Sequence, residues 1–331
     1  MLKVALLSRW HVHADDYARE AKENPNIFIS AIWDEDAERG RKWADELEVL
    51  FIEDIDTLLA DSSIDAVIVA APTAMHHQII VKAAKAGKHI FSEKVLALSF
   101  QESKDIFSSV KESNVQLMLS LPRLVETPYL YASEAIEKGL LGKVNTVRCR
   151  CAHGLGLPSE TEPYGWLPEH FFNEEQTGGG AFIDLGAHPI YIVNRLAGKP
   201  KAVTARLEAF YDRSVDDNAI AIVEYETGIL GICETSFISL HTPFIKLEVY
   251  GSEGTLLIED DSIRIKSSKL DPYEWVIPEH VPAKGKMPME QWVDAILNHT
   301  VPSITDEDAF LLTQINEAAA KSHRTGERVL I

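Results

Sequence analysis

The sequence predicts an α/β fold: a Rossmann-like doubly wound parallel sheet over residues 1–120, then a C-terminal α+β domain with a large, mostly antiparallel open sheet over residues 121–331. Three observations carry this. Short apolar runs alternate with helical segments through the first 120 residues, as strands buried by crossover helices require. Beyond them, strand-like runs lie close together between glycine and charged turn residues, which is hairpin spacing. Finally, 331 residues with 46% hydrophobic content suit two packed cores.

The elements follow in order. Lys3–Leu7 is a first buried strand and Asp15–Glu23 a helix. Ile27–Trp33 is a second strand, ending at Asp34, and Ala37–Leu47 is an amphipathic helix. Ala66–Ala71 is an apolar run stopped by Pro72, and His76–Ala86 is a helix closed by Gly87. His89–Phe91 leads to Glu93-Lys94; Phe100–Glu112 is a helix and Val115–Leu119 a strand. In the second half, Tyr129–Lys138 is a helix stopped at Gly139. The strands expected after it are Val144–Cys151, Ala202–Phe210, Asn218–Tyr225, Gly228–Phe237, Phe244–Gly251, Gly254–Glu259 and Ser262–Lys266. Thr227-Gly228 and Ser252-Glu253-Gly254 are turn signals between them. Helices return at Met289–Asn298 and Asp306–His323.

Composition narrows the function. No apolar run approaches the roughly 20 residues of a membrane span. The start, Met1–Leu7, reads as a strand and not as a signal peptide, so a cytoplasmic protein is expected. A net charge of −19 without a basic cluster excludes nucleic acid and anionic membrane as partners. Cys149, Cys151 and Cys233 are an odd set with no zinc-ligand spacing, so buried free thiols and no metal are expected.

One stretch is dense in chemistry: Gly178-Gly179-Gly180-Ala181-Phe182-Ile183-Asp184-Leu185-Gly186-Ala187-His188. A carboxylate and an imidazole four residues apart share one face if the segment is helical. The preceding glycines permit close approach of backbone to a ligand. Upstream, Ser8-Arg9-Trp10-His11-Val12-His13 follows the first strand, and Asp34 follows the second by 26 positions from Ser8. A carboxylate there can accept hydrogen bonds from a ribose, cap the next helix, or do both.

Together these segments resemble the Gfo/Idh/MocA family of NAD(P)-dependent oxidoreductases. The resemblance runs nearly the whole length. It is carried by the first strand and its loop, by Val67–Ala71 with Pro72-Thr73 and His76, and by Gly87-Lys88-His89-Ile90-Phe91-Ser92-Glu93-Lys94. Ile136–Val144, the glycine-run stretch above and Val249–Thr255 complete it. The clearest departure is the first loop, where the family's G-x-G-x-x-G/A has no glycine left; Val95 also replaces the family's proline after Glu93-Lys94.

The resemblance implies NAD as cofactor, favoured over NADP because Asp34 would repel a 2′-phosphate. Its binding residues would be Ser8, Arg9, Trp10, His11, Val12, Asp34, Ala71, Pro72, Thr73, His76, Glu93 and Lys94. The helix start near Ala14 offers free N–H groups to phosphate, with Ser8, Arg9 or His11 adding donors or charge; the alternative is that Trp10 and His13 fill the pocket and the dinucleotide site is lost or much altered. His76 either lines the nicotinamide side or caps its helix. Catalysis falls to Lys94, Asp184 and His188, with His188 exchanging the proton, Asp184 orienting groups and Lys94 assisting. Arg123, Tyr164, Trp166, His170, Asp184, His188 and Tyr191 are the candidate substrate contacts, Tyr191 standing where relatives carry a further Asp.

The expected reaction is hydride transfer to or from a hydroxyl-bearing carbon of a sugar, sugar derivative or cyclitol. The alternatives are an NAD-assisted glycoside-cleaving enzyme and a non-catalytic ligand sensor of the same fold. A metal-dependent hydrolase, suggested by His11-x-His13, fits poorly because the β/α alternation stops near residue 120 and builds no eight-unit barrel. Self-association as a homodimer or homotetramer through the C-terminal sheet is also expected.

Overall fold

The computed structural model describes residues 1–270 and 273–331. It divides into two compact units: Met1–Ser120 with Lys286–Asp306, and Leu121–Gly285 with Glu307–Ile331.

The first unit is a six-stranded parallel sheet. Its strands are β1 (Leu2–Leu7), β2 (Ile27–Trp33), β3 (Leu50–Phe51), β4 (Ala66–Val69), β5 (His89–Ser92) and β6 (Leu117–Leu119), in spatial order β3-β2-β1-β4-β5-β6. The crossovers carry α1 (Ala14–Glu23), α2 (Ala37–Leu47), α3 (Ile55–Ala60), α4 (Thr73–Lys85) and α5 (Phe100–Glu112). β4 and the last four residues of β1 are buried throughout, as strands covered on both faces must be. Local chemistry starts the helices: Asp36 and Asp54 accept N–H groups of the first turns of α2 and α3, and Ser99 with Glu102 forms a capping box on α5. The expected strands and helices are all present. The additions, β3 and α3, are too short to show a period in sequence.

Residues 286–306, placed by sequence with the second half, pack with this unit. Here α9 (Pro288–Asn298) lies against β5 and β6, and its fully buried Trp292 meets Phe91 at 5.7 Å between ring centroids.

The second unit holds α6 (Thr127–Glu137), α7 (Glu174–Thr177), α8 (Ala187–Ala197) and α10 (Asp306–Thr325). Its strands are β7 (Val144–Ala152), β8 (Pro200–Glu208), β9 (Asn218–Tyr225), β10 (Leu230–Ser236), β11 (Ile245–Gly251), β12 (Gly254–Glu259), β13 (Ser262–Ser267) and β14 (Val329–Leu330). They form one eight-stranded sheet, β13-β12-β11-β7-β10-β9-β8-β14, antiparallel except for the β7–β10 pair. α8 packs on β7 and β10, where Tyr225 donates to Asn194 at 2.6 Å, and Arg195 pairs with Asp308 of α10 at 2.6 Å. Cys149, Cys151 and Cys233 are buried free thiols, and Cys149 and Cys233 are register neighbours. Burial pushes the Cys149 and Cys233 thiols well up, which keeps them protonated and inert.

Among the described residues no helix is long and apolar enough to cross a membrane.

Candidate active site

In the first unit the sheet order reverses between β1 and β4, and ligands of such sheets bind at the carboxyl ends of the strands beside that point. The loop Ser8–His13, Asp34, Ala71-Pro72-Thr73 and Glu93-Lys94 all leave from those ends.

The glycine-free loop keeps a glycine-like turn. Ser8 has φ 74° and is fully buried, and its Oγ accepts the Trp10 N–H at 3.1 Å. Its hydroxyl is also bonded to Glu35, and burial raises that carboxyl despite the bond. Trp10 and His11 are buried, whereas Val12 is exposed. Arg9 does not stand ready for phosphate: its guanidinium is paired with Asp15 at 2.9 Å and Glu46 at 2.7 Å. α1 opens on Asp15 and Asp16, which complement the helix dipole themselves and reduce its pull on an anion.

Asp34 is buried and is not the cap of α2, a role Asp36 fills. Its Oδ2 accepts Arg9 N–H at 2.8 Å and Arg39 Nε at 3.0 Å; its Oδ1 accepts Asp36 N–H at 2.9 Å and Arg39 Nη2 at 2.6 Å. Four bonds fill an ionised carboxylate's acceptor sites. A ribose hydroxyl therefore reaches Asp34 by displacing Arg39.

His76 is fully buried, with Nδ1 2.7 Å from Val95 O and Nε2 3.0 Å from Ala71 O. It ties the segment after Lys94 to the end of β4 and is no helix cap. Ala71 and Pro72 are buried and Thr73 is half-buried at the first position of α4. The buried Lys94 precedes a cis peptide bond to Val95, and its Nζ lies 3.5 Å from Glu93 Oε1.

Glu93, 1% exposed, is the centre of a polar cluster. Its Oε2 accepts the Tyr17 hydroxyl and lies 3.1 Å from His13 Nδ1 and 3.7 Å from His11 Nδ1. Burial pushes its carboxyl up, but His11, Lys94 and His13 outweigh that and hold it well below the usual range. Burial and Glu93 push the Tyr17 phenol well up. Nothing in the sequence near Tyr17 announces this contact, which joins residues 76 positions apart.

In the second unit the glycine run packs backbone on backbone. Asp216 accepts the N–H groups of Gly180 at 2.9 Å and Phe182 at 2.7 Å, and its carbonyl accepts Ala181 N–H at 2.8 Å. A Cβ on Gly180 would stand 1.8 Å from Asp216 O, and one on Gly186 would stand 2.2 Å from Phe182 O. These glycines thus admit another piece of chain, where sequence suggested approach to a ligand. Burial raises the Asp216 carboxyl, with the two N–H bonds opposing.

Asp184 lies in the turn before α8, not on the helix with His188, which is its second residue. Electrostatic interaction links Asp184 to His153, whose imidazole is pushed down by burial and stacks on Phe237 at 5.3 Å.

His188 is buried and its Nδ1 lies 2.7 Å from the Tyr191 hydroxyl. Tyr191 is fully buried and its oxygen accepts the Arg123 backbone N–H at 3.4 Å, while the direction of its bond to Nδ1 follows the imidazole tautomer. Tyr191 holds the histidine from behind, where sequence suggested substrate contact. The Arg123 guanidinium is paired with Glu126 at 2.7 Å.

The remaining candidates lie apart in character. Tyr164 stacks on Phe172 at 5.2 Å and donates to Glu169 at 3.3 Å, and His170 lies 5.4 Å from Phe171. Trp166 is 69% exposed.

Comparison with known proteins places the chain. A family model for an oxidoreductase family with an NAD-binding Rossmann fold matches residues 11–121, and one for the GFO/IDH/MocA C-terminal domain matches residues 129–257. The scyllo-inositol 2-dehydrogenase (NAD(+)) of Bacillus subtilis (strain 168) is 30% identical over 286 residues, 83% of this chain and 80% of that protein. The myo-inositol 2-dehydrogenase of Thermotoga maritima is 22% identical and covers 92% of each chain. A levoglucosan dehydrogenase solved with NADH and levoglucosan superposes with a TM-score of 0.81 at 22% identity, over 100% of this chain and 99% of that one. The chain belongs to the Gfo/Idh/MocA family of NAD(P)-dependent oxidoreductases, its first unit being that family's NAD-binding Rossmann fold.

Proposed function

We propose that this protein transfers hydride between NAD and a hydroxyl-bearing carbon of a cyclitol or sugar. The observation that carries the reading is His188, buried and oriented through Nδ1 by Tyr191, in a chain that also holds Lys94 buried at a strand end. The residues at the carboxyl ends of β1 and β2 suit a dinucleotide: Ser8 preserves the left-handed turn, and Asp34 supplies a carboxylate for a ribose. Bound NAD supplies the hydride acceptor or donor.

The protein's own residues manage the proton. With its proton on Nε2 and the Tyr191 phenol donating to Nδ1, neutral His188 can donate to a carbonyl oxygen. To take a proton from an alcohol at Nε2, the ring carries its proton on Nδ1 and the Tyr191 phenol turns to accept it. Asp184 orients hydroxyl groups, and the Lys94 ammonium stabilises negative charge on the reacting oxygen. Asp34 would repel a 2′-phosphate, with Arg39 beside it as the opposing charge, and tighter binding of NAD than of NADP is expected by calorimetry.

The test of the reaction is NADH absorbance with the purified protein, NAD and a panel of cyclitols and sugars. His188→Asn is expected to lower turnover by about 10²–10⁴-fold while leaving NAD affinity intact. Silence across the panel, with NAD binding shown separately, overturns the reading.

The proposal includes self-association of two copies through the second unit's sheet. Ile220 and Ile222 of β9 and Leu230 of β10 are exposed on it.

A further inference from the structure

We infer that His11, His13 and Glu93 form a binding site for a divalent transition-metal ion of the zinc class. The inference concerns the same strand ends that the dinucleotide reading uses, with Lys94 Nζ 3.5 Å from Glu93, and runs against the expectation of no metal.

The donor set comes first. Two imidazoles from the loop after β1 and a carboxylate from the end of β5 bring their ligand atoms within 4.8 Å of one another. Zinc bonds to nitrogen and oxygen of about 2.0–2.2 Å, at tetrahedral angles, put ligand atoms roughly 3.4 Å apart. The two imidazole–carboxylate separations, 3.1 and 3.7 Å, straddle that value. Small side-chain rotations close the set, and three protein ligands leave a fourth position open.

The electrostatics agree. His11 Nδ1 accepts the His13 backbone N–H at 3.2 Å, which turns that ring nitrogen toward the same corner as Glu93 Oε2, 3.7 Å away. Lys94 counts against a second cation, but it lies on the Oε1 side, 3.5 Å away, while both imidazoles lie on the Oε2 side.

The surroundings are those of a metal ligand. Tyr17 donates its hydroxyl to Glu93, the outer-shell bond that fixes a ligating carboxylate. Imidazole with carboxylate suits zinc, cobalt and nickel, whereas magnesium and calcium favour all-oxygen sets.

The experiment uses the full-length protein stripped with a chelator. Co2+ is titrated and followed by its visible d–d absorption; Zn2+ and Mg2+ are titrated by calorimetry. The expected result is one equivalent of Co2+ or Zn2+ with proton release to buffer, and no saturable Mg2+ binding. His13 is half-exposed, so His13→Ala is expected to keep the circular dichroism of the parent and to bind Zn2+ at least about tenfold more weakly. Tyr17→Phe is expected to weaken binding by about 10–100-fold. Substoichiometric binding, or a Zn2+ affinity unchanged in both His13→Ala and Glu93→Gln, overturns the site.

Discussion

His188 shows how a single neighbour sets what a side chain can do. A carboxylate behind an imidazole favours a proton on Nδ1 and the imidazolium form. Here the neighbour is the neutral Tyr191 phenol, which can either donate to Nδ1 or accept from it and so serves both neutral tautomers of the ring. Tyr191→Phe leaves a buried ring nitrogen and a backbone N–H without partners. It is expected to cost about 1–3 kcal/mol of stability, read as a lower denaturation midpoint, and to shift the pH profile of turnover. An unchanged midpoint would show that water replaces the phenol. A second residue gives a pH effect with a definite sign. His89 Nδ1 accepts the Gln116 N–H at 2.9 Å, and burial lowers its pKa. The unfolded chain then binds more protons than the fold just below pH ~6.5. The His89 contribution to stability is therefore full above about 6.5 and is lost as pH falls through the lowered value. Replacing His89 by Gln should flatten that portion of a stability-versus-pH curve, and an unaltered curve would refute the assignment.

At the scale of elements, the segment before α8 is held by Asp216, 36 positions from Gly180. Asp216→Ala removes the acceptor of two buried N–H groups and is expected to destabilise the protein by about 2–4 kcal/mol, with turnover falling because the turn carrying Asp184 loosens. Gly180→Ala tests the same contact from the other side, since its methyl would meet the Asp216 carbonyl. A Gly180→Ala protein of parental melting temperature would refute the close approach. The first unit shows the converse: the loop after β1 lost its glycines yet kept its turn, because Ser8 adopts the left-handed conformation and bonds locally.

For the whole molecule the open question of practical weight is assembly. The exposed side of the second sheet mixes Ile220 and Ile222 with the Arg148–Glu234 pair, 2.8 Å apart. Sedimentation is expected to show a dimer or tetramer at micromolar concentration, and Ile222→Lys should shift it toward monomer. A strict monomer in the parent protein removes that part of the proposal.

Sequence alone determined the order of most strands and helices, because period and punctuation are local: the apolar run at Ala66–Val69 appears where an uninterrupted hydrophobic stretch demands burial. It also singled out Asp34, Glu93-Lys94, Asp184 and His188, since their spacing to strand ends and glycines is written in the chain. It did not reveal that Arg39 occupies Asp34, that Tyr17 and two histidines gather on Glu93, or that Asp216 anchors the glycine run. Those contacts join residues from 5 to 82 positions apart, and which partner a buried carboxylate takes depends on which elements the fold packs beside it. Hydrophobic periodicity is a property of neighbours in the chain; the partnering of charges is a property of neighbours in space, and only the tertiary structure decided it.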